Sequence, residues 1–385
     1  MDFAEKVESV FRKNFNKEPL IIRSPGRVNL IGEHTDYNMG FVLPAAISKS
    51  VYFAIGISNN SHCRLIALDM NDSYEFEIEN LQRSKKVWPN YLMGIIDQFL
   101  KSGYKLGGVN CVFSGDVPIG AGMSSSAALG AGFAFALNEV YQLGMSNIDL
   151  VKLSQKSENE FVGLKCGIMD QYINIFGKQD SVLKIDCRTL EHKYYPFKFS
   201  DVSIVLFDTC VSRSLASSEY NKRRAECNEG VAIISKKYQD VKSLRDVTIE
   251  MLEENKSLMS ETVYKRCKYV IEENNRVLLA CSALESMDLK QFGIYMNESH
   301  IGLSKKYEVS CNELDYLYEL VVDKSCVYGS RMMGAGFGGC TINLIKNDCI
   351  EEISNLVKEK YKQRFGREPK VYITSIGSGT QVIKG

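Results

Sequence analysis

The sequence predicts an α+β protein of two domains, and three observations carry that prediction. At 385 residues the chain is longer than a single hydrophobic core ordinarily grows. Strand-like and helix-like segments interleave along it, with no repeat at solenoid periods and no low-complexity tract. Near the carboxyl end two β-rich segments, Thr341–Ile345 and Lys370–Thr374, flank a helical stretch, the grammar of an α+β domain.

Each element has its own warrant. Met1–Phe11 alternates charged and apolar residues at helical spacing. Ser50–Ile57, Glu75–Ile78 and Val109–Phe113 are β-rich and read as strands of a sheet. Trp88–Leu100 has a helical pattern, and Ala127–Tyr141 is apolar nearly all round, so that helix must be buried. Helical periodicity returns over 149–162, strands over Val182–Ile185 and Ser203–Phe207, and 214–320 is mostly helical. Residues 231–290 read as amphipathic packing without a functional signal. A domain change near residue 195 divides the chain into 1–195 and 196–385.

Composition excludes several function classes. Lys plus Arg and Asp plus Glu both total 47, so no long-range field collects nucleic acid or an anionic membrane. The amino terminus lacks the basic-then-apolar pattern of a secretory signal and no apolar run reaches spanning length, which predicts a cytoplasmic protein. The 12 cysteines include no C-x-x-C pair and read as buried thiols, and 4 histidines make an imidazole metal cluster a poor expectation. No pattern in the chain encodes a protein partner.

Three segments concentrate chemistry. Pro25–Gly40 sets Arg27, Glu33, His34, Thr35, Asp36, Tyr37 and Asn38 between two glycine turns. Alone it reads as a hydrophilic loop, yet forked donors, carboxylates, a hydroxyl and an amide are also what grips a small polyhydroxylated ligand. Gly115–Ala128 lies between a strand and the buried helix. Its glycines let backbone approach a ligand, and the helix's first turn leaves amide N–H groups free for an anion. Serine is also a common helix cap, which accounts for one serine of Ser124, Ser125 and Ser126 but not for the run. The G-x-x-x-x-G-K-[ST] pattern is absent, so this is not an ordinary P-loop. Gly334–Cys340 is a third glycine cluster before a strand, which alone reads equally as a tight turn.

In this order the three segments resemble galactokinases and, more broadly, the kinases grouped with homoserine, mevalonate and phosphomevalonate kinases. Cys166–Gln171, Ser214–Tyr220 and Tyr307–Asp315 are similar to further family stretches, so the resemblance spans the chain. It implies a two-lobed fold of mixed sheets and helices with the active site between lobes. Residues 1–195 would carry the sugar signature and phosphate loop, and 196–385 the late glycine loop. The activity implied is ATP-dependent phosphorylation of the C1 hydroxyl of α-D-galactose, with Mg2+ bridging the phosphates.

Site residues follow from the same resemblance. Asp170 and Arg27 are the catalytic pair; spacing alone would make Asp170 a surface carboxylate and Arg27 a surface ion-pair partner. Glu33, His34, Asp36, Gly167, Asp170 and Tyr220 would bind sugar. Pro118, Gly120, Ala121, Gly122, Met123, Ser124, Ser125, Ser126 and Ala127 would bind nucleotide, with Met123 replacing a usual leucine of similar volume. Trp88 matches a stretch near the adenine pocket, though core packing accounts for a single Trp equally well. Ser124 and Glu158 would hold the metal, while spacing alone puts Glu158 on a solvated helix face. Two alternatives are a kinase for N-acetylgalactosamine, arabinose or a uronic acid, and a galactose and ATP sensor without turnover. Thr35–Asn38 favours galactose, and the intact Ser124–Ala128 run with Arg27 and Asp170 favours catalysis.

Overall fold

The structure, a computed structural model, describes residues 2–211 and 216–385; Ser214 and Leu215 of the family-like stretch lie outside them. The fold is α+β, built on three sheets. Six strands form the first: β1 (Leu20–Asn29), β3 (Pro44–Ile57), β4 (His62–Ala67), β5 (Asp72–Glu77), β6 (Val109–Gly115) and β13 (Gln381–Lys384), in the order β13-β1-β3-β6-β4-β5. A four-stranded sheet runs β10-β11-β9-β12, with β9 Val202–Asp208, β10 Val327–Met332, β11 Cys340–Lys346 and β12 Lys370–Thr374. The third joins β2 (Phe41–Val42), β7 (Ser181–Asp186) and β8 (His192–Pro196).

The expected buried helix is Ser125–Val140, and its small residues Ala127, Ala128, Ala131 and Ala134 are almost fully enclosed. Ser24 on β1 donates its hydroxyl to the Ala128 carbonyl at 2.7 Å, fixing helix against sheet. One apolar cluster runs from the first sheet (Phe53, Leu65) through this helix (Phe133, Leu137) to β9 and β11 (Leu206, Ile342) and the helix Glu261–Glu285 (Val277, Leu284). Burial of this continuous surface holds the two ends of the cavity in fixed register. Among the described residues no helix is long and apolar enough to cross a membrane.

Pro25–Gly40 is not the hydrophilic loop that its composition alone suggests: its first residues are the end of β1, and Glu33, His34, Thr35 and Asn38 are at most 4% exposed. Two expectations need correction. Cys210 is exposed, and Cys166, Cys311, Cys326 and Cys349 are partly so, whereas the remaining thiols are buried as expected. Residues 231–290 do more than pack, because the helix Glu261–Glu285 grips the segment that follows β1. Gly32 donates its amide to Glu273 Oε1 at 2.9 Å, Phe41 its amide to Asn274 Oδ1 at 2.9 Å, and Tyr269 its hydroxyl to the Glu33 carbonyl at 3.1 Å.

Candidate active site

The pairing of β1 with β3 shifts register between Pro25 and Arg27. Such a bulge re-aims the strand. Gly26 is the residue left out of the pairing; Arg27 resumes it opposite Ala46, and its amide donates to the Met123 carbonyl at 3.1 Å, which docks the strand on the Gly115–Ala128 loop. Its guanidinium, 5% exposed, then meets Asp170 in the first turn of the helix Met169–Phe176. Nε donates to Oδ1 at 2.8 Å and Nη2 to Oδ2 at 3.1 Å, a forked contact, while Nη1 donates to the Gly122 carbonyl. Ser124 also donates its hydroxyl to Asp170 Oδ2. Ser124 caps the helix Ser125–Val140 with φ at +55°, after Gly120 and Gly122 at +81° and +80°. That left-handed run turns the loop back across the helix's amino end.

Around this pair lies a cavity of about 400 Å³. Glu33, His34, Asp36, Gly167 and Tyr220 line one part, Gly120, Gly122, Met123 and the three serines another, and Gly334 and Ala335 of the late glycine loop close it. Glu33 is anchored through Oε1, which accepts from Arg331 Nη2 at 2.7 Å and from the Gly334 amide at 2.8 Å. Gly167 lets Asp36 come close, since a Cβ there would fall 1.6 Å from Asp36 Oδ2 and displace that side chain. His34 Nδ1 is 2.8 Å from the Tyr37 hydroxyl, and the Tyr220 ring sits 5.5 Å from the imidazole.

Burial dominates the electrostatics. Asp36 is pushed up to about 7, first by burial and then by the charge of Asp170. Glu158 rises to about 7 for the same two reasons, although Gln171 Nε2 donates to its Oε2 at 2.7 Å. Glu158 does not lie on the solvated helix face that spacing alone suggests: at the end of the helix Asn147–Ser157 the chain enters a π-turn, Glu158–Val162, that turns this carboxyl inward to 6% exposure. Burial lowers His34 to about 3, so the imidazole is neutral at physiological pH.

Trp88 stands apart from the cavity lining. It is buried in the first core, edge-on to Phe113 at 5.5 Å, and its indole N–H donates to Asp72 at 3.0 Å. Core packing accounts for it. Pro118 and Ala121 belong to the loop but not to the lining, and Ala127 faces a water-sized hollow behind Glu158.

Family profiles agree with this geometry. The galactokinase galactose-binding signature matches residues 9–57, the GHMP kinases N terminal domain 90–178 and the GHMP kinases C terminal 280–363. The galactokinase of Clostridium acetobutylicum is 39% identical over 98% of both chains, and that of Thermotoga maritima 40% identical over 94% of this chain and 99% of its own. The chain belongs to the galactokinase family. A crystal structure of Lactococcus lactis galactokinase complexed with galactose superposes with a TM-score of 0.92 at 34% identity, covering 98% of each chain. A mevalonate kinase, at 19% identity and a TM-score of 0.63, shares the fold.

Sequence reasoning missed the residues that support this galactokinase-family site from behind. Arg331, wholly buried, donates to the carbonyls of Asn29, Leu30 and Met332 at 2.8–3.0 Å besides holding Glu33. Arg223 ties the Tyr307 and Glu308 carbonyls, each at 2.8 Å. Neither sits in a motif that marks it, and only a cationic residue inside the apolar strand β10 hints at Arg331.

Proposed function

We infer that this protein is a galactokinase, transferring the γ-phosphoryl group of ATP to the C1 hydroxyl of α-D-galactose to give galactose 1-phosphate and ADP. The observation that carries the reading is the forked Arg27–Asp170 pair where the sugar segment meets the phosphate loop. Phosphoryl transfer asks a protein mainly to position groups and offset charge. Asp170 accepts the C1 hydroxyl proton as the oxygen attacks phosphorus. Arg27 orients the Asp170 carboxyl through its forked contact and offsets charge on the moving phosphoryl group. Glu33, His34 and Asp36 accept from or donate to sugar hydroxyls, with the Gly167 backbone and Tyr220 completing the wall.

The amides and hydroxyls from Gly120 to Ser126 bind the phosphates of ATP, supported by their position at a helix amino end. Magnesium fits the donor set: Glu158 is a buried carboxyl without a cation and Ser124 supplies a hydroxyl oxygen, both hard ligands. Bound there with phosphate oxygens, the ion would neutralise charge on the β and γ groups. We place the lobe division near residue 195, with β13 returning to the first sheet, and a cytoplasmic location fits an ATP co-substrate. The test is incubation with ATP, magnesium and, separately, galactose, N-acetylgalactosamine, arabinose or galacturonate, followed by phosphorus NMR beside an Asp170→Asn control. Galactose 1-phosphate that vanishes in the control is expected. A preference for another sugar would move the specificity, and binding without product would refute the kinase reading.

A further inference from the structure

His34 sits at the head of a buried chain of hydroxyls that the reaction does not itself use. Its Nδ1 lies 2.8 Å from the Tyr37 hydroxyl, that oxygen lies 2.7 Å from the Tyr307 hydroxyl, and Tyr307 lies 3.2 Å from Cys227 Sγ. Tyr307 and Cys227 have no exposed surface, and Tyr37 is 9% exposed. The three come from distant parts of the chain: Tyr37 from the segment after β1, Cys227 from the helix Ala216–Ile234, Tyr307 from the turn Leu303–Tyr307. At its other end His34 Nε2 is buried and makes no hydrogen bond among the described residues, although the residue lines the cavity.

Buried and neutral, the imidazole carries one ring hydrogen, and the two nitrogens must divide donor and acceptor roles. Nδ1 is already engaged by the Tyr37 hydroxyl, which leaves Nε2 as the ring nitrogen that can meet a ligand.

We propose that Tyr37, Tyr307 and Cys227 are positioning residues that fix the His34 tautomer, so that Nε2–H points into the cavity as a donor to a sugar oxygen. The chain of donation then runs one way: the Cys227 thiol donates to Tyr307, Tyr307 to Tyr37, and Tyr37 to Nδ1. Asp36 and Glu33 offer carboxyl oxygens as acceptors, so the pocket presents a donor on one side and acceptors on the other. A hydroxyl held by such a wall is read in both polarity and place, and inverting it leaves partners unpaired. The inference rests on the sugar-site reading of His34 given above.

The test is nitrogen-15 NMR of histidine-labelled, unliganded protein, with the His34 signals assigned by their loss in His34→Gln, beside steady-state kinetics of Tyr307→Phe. We expect wild-type His34 to show a protonated Nε2 and an unprotonated Nδ1. Tyr307→Phe, which removes one hydroxyl and keeps the ring, should show mixed tautomers and raise KM for galactose about tenfold, the worth of one buried hydrogen bond. KM for ATP should stay within about twofold. A wild-type signal with the hydrogen on Nδ1 would overturn the proposal, as would a folded Tyr307→Phe protein with both tautomer and galactose KM unchanged. The NMR needs no turnover, so a wild type that phosphorylates no sugar would refute the galactokinase reading while the tautomer is still decided.

Discussion

Replacing Gly167 by alanine puts a methyl group where a carboxylate already is. The new Cβ would stand 1.6 Å from Asp36 Oδ2 and 2.2 Å from its Cγ, against a comfortable separation of about 3.5 Å. One of the two must withdraw by about 2 Å, and the side chain moves more easily than the backbone. Asp36 also gains by retreating, because burial and the charges of Asp170 and Glu33 all work against its ionised form. The fold should therefore survive and the sugar wall should not. One hydrogen bond of an uncharged carboxyl is worth about 0.5–1.5 kcal/mol, so its loss lowers kcat/KM for galactose about 2- to 13-fold. KM for ATP, bound across the cavity, should change less than about twofold. Steady-state rates of ADP release, with galactose and ATP varied in turn and a thermal melt alongside, give both numbers. A folded Gly167→Ala protein with wild-type kcat/KM for galactose would refute the argument that Asp36 is held at the sugar by the bare Cα of Gly167.

Asp170→Asn should lower kcat about 10²- to 10⁴-fold in single-turnover assays, the range of a lost general base; a loss under tenfold would leave Asp170 a purely structural anchor. Asp36 and Glu158, raised from 3.8 and 4.5 to about 7, stay protonated in the folded protein while their unfolded counterparts ionise. Stability of the unliganded protein should thus fall as pH rises from about 4 to 7, and Asp36→Asn should flatten that slope and raise stability at pH 8 by about 1–3 kcal/mol in urea titrations. No change in slope would mean that Asp36 ionises freely in the fold. Trp88→Phe should cost about 1–2 kcal/mol of stability through its lost Asp72 bond and packing, and leave KM for ATP unchanged; a severalfold rise in that KM would restore the adenine contact.

The residues that line the candidate site could be read from the chain because they are crowded into short segments whose order is itself informative. Arg27, Glu33, His34 and Asp36 fall within ten residues, and the loop from Gly120 to Ser126 announces itself by glycine and serine. Helices and central strands were equally plain, since Ala127–Leu137 carries no polar residue and Val109–Phe113 is interrupted only by Asn110. What hid was support from a distance. Tyr269, Glu273 and Asn274 lie on a helix whose amphipathic pattern is satisfied by packing alone, and their hydrogen bonds run to residues more than 230 positions away. β1 was obscured by Pro25 and Gly26, which mark a bulge rather than a turn. Spacing alone misplaces Glu158 because helical periodicity assumes a regular helix, and the π-turn breaks that phase. β13 has no apolar stripe to find, all four of its residues being exposed.

β13 sets the order in which this molecule can be completed during synthesis. Ile21, Ile22 and Arg23 on β1 pair with Lys384, Val382 and Gln381, so the outer edge of the strand that carries Arg27 is covered by residues made some 360 positions later. Until they emerge, β1 has one paired side, against β3, and one open side. An open edge is a template for another chain, and such long-range closure is slow to find. The strand delivering the guanidinium to Asp170 is thus the one that waits longest for its last neighbour. Ribosome-bound chains stalled before residue 381 should keep that edge available to chaperones or to one another.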